Sequence, residues 1–232
     1  RNARGRRLRP AGPEKGIPMK KRLFLVAAAV LLSAAAAPAE FYFGAAGIYS
    51  APLDQPYSSR FGAGISAGWA WSPRFAVELG LGWRPSRATG SLEGLSDGTL
   101  RIFPLEAALR ARLPLSSGWV LSGEAGAGWA FHSFSLSGDL RAAWKALGFS
   151  IEESADGAPA VHLGIGIEYV LTPRWSLEAG LRYTRIRTKG TWSITDEASG
   201  LVQSGTLEKL NHDALSLTFG LKIALFGAGE SQ

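Results

Sequence analysis

Phe61-Gly62-Ala63-Gly64-Ile65-Ser66-Ala67-Gly68-Trp69-Ala70-Trp71 and, three residues on, Phe75-Ala76-Val77-Glu78-Leu79-Gly80-Leu81-Gly82-Trp83 alternate with a period of two. That period is the mark of a β-strand, whose side chains point to opposite faces in turn. One face carries Phe61, Ala63, Ile65, Ala67, Trp69 and Trp71, then Phe75, Val77, Leu79, Leu81 and Trp83. The other carries glycine, alanine, Ser66 and the single carboxylate Glu78. A soluble sheet would bury its large face and wet the other with Lys, Thr and Ser. Here the second face is tiny, which suits a cramped polar interior. The large residues then face outward, into lipid. The pattern is that of a transmembrane β-barrel.

Further strands follow by parity. Phe103 to Leu113, Trp119 to Phe131, Val161 to Leu171, Trp175 to Tyr183 and Leu215 to Leu225 each carry an apolar outward set at every second position. Phe41 to Tyr49 adds a strand with aromatics on both faces, and the count is eight. Short turns (Ser72-Pro73-Arg74, Pro114 to Gly118, Thr172-Pro173-Arg174) are each followed at once by an aromatic. Longer polar connections cover about 51–59, 86–99, 133–158 and 188–208. Short turns at one end and long loops at the other predict an eight-stranded antiparallel up-and-down barrel with short periplasmic turns and long extracellular loops. Trp71, Phe75, Trp119 and Trp175 mark one membrane interface; Trp83, Trp129, Phe131 and Tyr183 mark the other, 8 to 12 residues further along. That separation matches a spanning strand of roughly 9–11 residues.

The ends of the chain add a route. Met19-Lys20-Lys21-Arg22 precedes the apolar run from Leu23 to Ala37, and Ala37-Pro38-Ala39 fits a small-x-small cleavage site. Residues 19–39 are therefore expected to be a signal peptide. Residues 1–18 are expected to be an upstream extension foreign to the native protein, and 40–232 to be the barrel domain. Removing the nine Lys or Arg and one Glu of residues 1–22 from totals of 25 and 19 leaves 16 basic and 18 acidic side chains. The high pI thus resides in the leader, and no nucleic-acid partner is expected. The absence of cysteine fits an exported barrel closed by hydrogen bonds.

Thr218-Phe219-Gly220-Leu221-Lys222-Ile223-Ala224-Leu225-Phe226 resembles the C-terminal signal read by the outer-membrane assembly machinery: polar, x, Gly, x, x, apolar, x, apolar. With the strand pattern of 40–226, the chain resembles the small eight-stranded outer-membrane barrels, the OmpA and OmpX type with its OmpW and opacity-protein relatives. The resemblance implies a monomer in the outer membrane whose partners are outer-membrane lipid and lipopolysaccharide, the assembly machinery and an extracellular ligand held by the loops. The expected function is a structural or surface-interaction barrel, with a narrow small-solute channel of the OmpW kind as the alternative.

Parity sends ten ionisable side chains into the lumen: Glu78, Arg84, Glu106, Arg110, Arg112, Glu124, Glu168, Glu178, Arg182 and Lys222. An eight-stranded barrel is just wide enough for its own side chains to fill. Five acids and five bases confined there must pair, because a lone buried charge costs several kcal/mol. The network either plugs the barrel or gates a narrow conductance. His132, His162 and His212 also take the inward parity toward the loop end, where they are expected as polar filler at a wet rim. No metal or other cofactor is expected. A lipid-modifying enzyme is the remote alternative. A deacylase-like pair needs His and Ser on one face, whereas His132 and Ser133 are adjacent and point apart; no catalytic residue is expected. In the third loop, Asp139 to Leu147 predicts one or two helical turns with Leu140, Trp144 and Leu147 on one side. Such a helix would cap the mouth or present Trp144 to a partner.

Overall fold

The computed structural model describes residues 40–53, 57–88 and 97–226. The expected extension, signal peptide and short C-terminal tail lie outside them. Eight long strands form a ring: β1 (Glu40–Pro52), β3 (Arg60–Ser72), β4 (Phe75–Ala88), β5 (Gly98–Pro114), β6 (Trp119–Leu136), β8 (Ala158–Val170), β9 (Trp175–Asp196) and β11 (Ala214–Phe226). Each pairs antiparallel with the next, and β11 pairs back onto β1 with Tyr49 opposite Leu217. The ring leaves no open edge in the membrane, which is the requirement lipid places on a sheet.

The short turns work through their own side chains. Ser72 Oγ accepts from the backbone N–H of Arg74 at 3.3 Å and of Phe75 at 3.1 Å. Thr172 Oγ1 repeats the arrangement with Arg174 and Trp175 at the same two distances. Proline between hydroxyl and arginine presets the bend in both. The turn after β5 instead uses left-handed backbone at Ser117 and Gly118.

The parity of the sequence holds around the ring. Phe61, Ile65, Leu79, Leu105, Leu163 and Phe219 stand more than half exposed on the outside. Belt aromatics at the turn end touch one another, with Trp71 and Phe75 stacked at 6.2 Å and Trp119 against Tyr169 at 4.6 Å. The ambiguous first strand resolves: Phe41 and Phe43 face out, while Tyr42 is buried inside.

The described parts of the long connections (51–53, 57–59, 86–88, 97–99, 133–158 and 188–208) are largely regular, where the polar composition suggested loops. Strands of the ring extend into these described parts, past the membrane. Two short strands, β7 (Phe149–Ala155) and β10 (Val202–Asn211), flank the distal half of β9, and β2 (Tyr57–Ser58) adds to the end of β4. The result is an extracellular crown continuous with the wall. Helix α1 (Gly138–Ala146) packs against β7. Ser137 caps it, its Oγ accepting from the N–H of Leu140 at 3.4 Å. Trp144 meets Phe149 edge-on at 6.0 Å, and Leu147 stands exposed.

Candidate functional site

All ten lumenal charges meet in one connected network. Arg110 sits at its centre, with Glu178 at 2.7 Å, Glu124 at 2.9 Å and Glu78 at 3.4 Å. Arg182 bridges Glu124 and Glu106, and Arg84 reaches Glu106 at 3.3 Å and the hydroxyl of Thr184 at 3.1 Å. Toward the periplasmic end Lys222 contacts Glu178, Glu168 and Glu78, and Arg112 reaches Glu168 at 3.5 Å and Glu40 at 4.0 Å. Tyr42, which the sequence did not single out, donates its hydroxyl to Glu78 at 3.0 Å and lies beneath the Lys222 ammonium. Every charge here has opposite charges as neighbours, which offsets the desolvation of taking it from water.

The glycine-rich inner wall makes room for these long side chains. A Cβ on Gly68 would run into the Tyr42 ring, and one on Gly164 would lie 2.8 Å from the Glu124 carboxylate. Beside the network a chamber of about 80 Å³ is lined by Ser66, Glu78, Arg84, Glu106 and Arg182. A second, of about 200 Å³, lies at the periplasmic end among Glu40, Arg112, Glu168 and Thr172.

Beyond the network, on the extracellular side, the inward positions change character. Ala88, Leu100, Ile102, Ala130, Ala158, Ala160, Ile186 and Leu210 pack as one apolar cluster, each no more than 7% exposed. They come from six strands, β4 round to β10, and Tyr57, Phe134 and Leu207 pack against them. An apolar layer thus lies over a charged one.

The three histidines do not form a wet rim. His162 is buried within the lumen, its Nδ1 3.5 Å from Glu106. His132 on β6 and His212 in the link between β10 and β11 meet with ring centres 5.6 Å apart, and Tyr57 stands edge-on to His212 at 4.4 Å. Parity gives the face of each but not its height, and rings from opposite walls meet across so narrow a lumen. His132 Nδ1 lies 2.7 Å from the Asp156 carbonyl; a carbonyl only accepts, so Nδ1 carries the proton. His212 lies past the end of β10, outside the spanning strands. Burial, and then the neighbouring His132, pulls His212 down to about 3, so it is neutral at pH 7.

His132 and Ser133 point apart, and Ser135 Oγ accepts from Arg101 Nη1 at 3.1 Å. In the crown, Trp192 lies over Gly205 in a cavity of about 720 Å³ bordered by Phe134, Arg141, Glu152 and Thr206.

Similar architecture occurs in solved structures. OprG of Pseudomonas aeruginosa matches at 15% identity with a TM-score of 0.63, over 82% of this chain and 97% of that one. A major outer membrane protein of Thermus thermophilus matches at 14% and 0.56, over 80% and 99%. Neisserial surface protein A matches at 15% and 0.51, over 81% and 97%. At these identities the likeness speaks for the fold alone. A search of curated protein sequences finds no match. A family model described as the outer membrane protein beta-barrel domain covers residues 23–222, and the chain belongs to that family of outer-membrane proteins.

Proposed function

We propose that this protein is a sealed outer-membrane barrel that acts as a structural and surface-interaction protein through its extracellular crown. The apolar layer carries this reading. An ion entering from outside would have to leave its water at Leu100, Ile186 and Leu210 before reaching Arg84, the outermost lumenal charge, which stands beside Ile102. Moving a bare ion through such a layer costs several kcal/mol. Below the layer the charges are spent on one another, which supports a brace across the lumen in preference to a string of ion sites. The crown, with its Trp192 cavity and the surface around α1, is what the barrel holds up to the outside.

Planar-bilayer recording tests the reading. The wild-type protein should be silent, and replacing Leu100 and Ile186 together by serine should admit small conductance steps. Steady wild-type steps whose size changes in Glu124→Gln or Arg182→Gln would overturn the sealed barrel in favour of a narrow small-solute channel.

A further inference from the structure

Near the outer belt the β3–β4 ladder breaks. The β3–β4 ladder ends at Ala63 opposite Trp83, and β4 next pairs with β2, with Ser58 opposite Arg87. Between these points the register slips by one residue, and Pro85 has no N–H to offer a neighbour. A groove of about 510 Å³ results on the outside of the barrel. Its floor is aromatic: Tyr49, Phe61 and Trp83, with the first two rings 4.9 Å apart. Its upper edge holds Arg60, Thr99 and Arg101, and exposed Arg87 stands opposite Thr99 across the β4–β5 ladder.

These arginines differ from the basic groups of the lumen. Every lumenal Arg and Lys has a carboxylate partner, whereas Arg60, Arg87 and Arg101 have no ion pair among the described residues. They lie just beyond Trp83, at the height where an outer leaflet places its headgroups. The planar guanidinium fork matches phosphate oxygens two at a time. Below the arginines the aromatic floor runs into the lipid face at Ile65, Leu81 and Leu105. The groove therefore presents, from top to bottom, anion donors, flat aromatic surface and an acyl-chain wall.

We infer that this groove binds a phosphorylated saccharide lipid of the outer leaflet. Its phosphates lie on Arg60, Arg87 and Arg101, its sugar rests against Phe61 and Trp83, and its acyl chains follow the lipid face. A second basic row, Arg185, Arg187 and Lys189, faces outward on β9. It is no counterpart, because it is a straight row along one strand and the Asp213 carboxylate, held by Tyr183 at 2.9 Å, lies beside it.

Native mass spectrometry of the full chain in detergent, with added bisphosphorylated lipid A, tests this. The wild type should retain lipid A, and Arg87→Gln/Arg101→Gln should lower its occupancy about tenfold. Monophosphorylated lipid A should bind more weakly, and excess inorganic phosphate should not displace the bound lipid. Heat-shifted gel mobility reports whether each variant folds, and Arg60→Gln provides an independent reading should the double variant fail to fold. Unchanged occupancy in a folded groove variant would overturn the proposal. So would equal retention of phosphatidylglycerol, displacement by inorganic phosphate, or loss of binding only in Arg185→Gln/Arg187→Gln.

Discussion

His212 shows at the scale of one residue what a narrow barrel does to chemistry. Its ring is buried between Tyr57 and His132, and its Nε2 has no hydrogen-bond partner among the described residues. The folded chain therefore holds it neutral down to about pH 3, against an ordinary value of 6.5. In the window between these values the unfolded chain binds a proton that the folded chain refuses. Stability is full above about pH 6.5 and falls as the pH drops through the window. The thermal midpoint in detergent should fall between pH 7 and pH 5, above the ordinary carboxylate range. His212→Asn should flatten that fall, and an identical fall in the variant would refute the account. Parity alone placed this side chain on the inner face. Its contact with His132 was not legible, because it depends on how the β10–β11 link folds back toward β6 across the lumen. Tyr42 was hidden differently, in a run of three aromatics, and only the hydroxyl bond to Glu78 explains which of them turns inward.

Among the elements, legibility followed the contrast between the two faces of a strand. Where one face meets lipid and the other the lumen, as in β3 and β4, large and tiny residues alternate and the strand declares itself. In β7 and β10 both faces carry polar side chains, so Phe149-Ser150-Ile151-Glu152-Glu153-Ser154-Ala155 alternates without amplitude and reads as loop. The same contrast sets what each face tolerates. Leu79 stands outside at the middle of β4, 57% exposed, where an Arg costs about 2–4 kcal/mol at the bilayer midplane. Gly80 faces the chamber beside the ion network, and a Cβ there meets only the Ile65 carbonyl at 3.8 Å. Leu79→Arg should thus destabilise folding into lipid vesicles by about 2–4 kcal/mol, and Gly80→Ser should stay within about 0.5 kcal/mol of wild type. Urea titrations of vesicle-folded protein measure both, and the reverse ranking would mean that the faces are assigned the wrong way round.

At the scale of the whole molecule, two structures share one set of strands. The ring closes through pairings that on β9 end near Ile186, whereas the crown begins where β10 and β7 take over as the neighbours of β9 at Arg187 and Gly190. Because the ring already pairs every spanning strand on both sides, the crown adds nothing to its closure. The apolar layer sits at the junction: Ile186 belongs to the ring and Leu210, opposite Thr188, to the first pairs of the crown, and both lie below the level of Gly190 and its partner Leu207. The hairpin beyond that level is therefore separable. Replacing residues 191–206 by Asn-Gly joins Gly190 directly to Leu207 through a turn suited to antiparallel strands. The shortened protein should still fold in detergent, show heat-shifted gel mobility and remain silent in a planar bilayer, while losing the Trp192 cavity. A shortened chain that no longer folds would show that the crown helps to close the ring. One that folds but conducts would move the seal from the apolar layer into the crown.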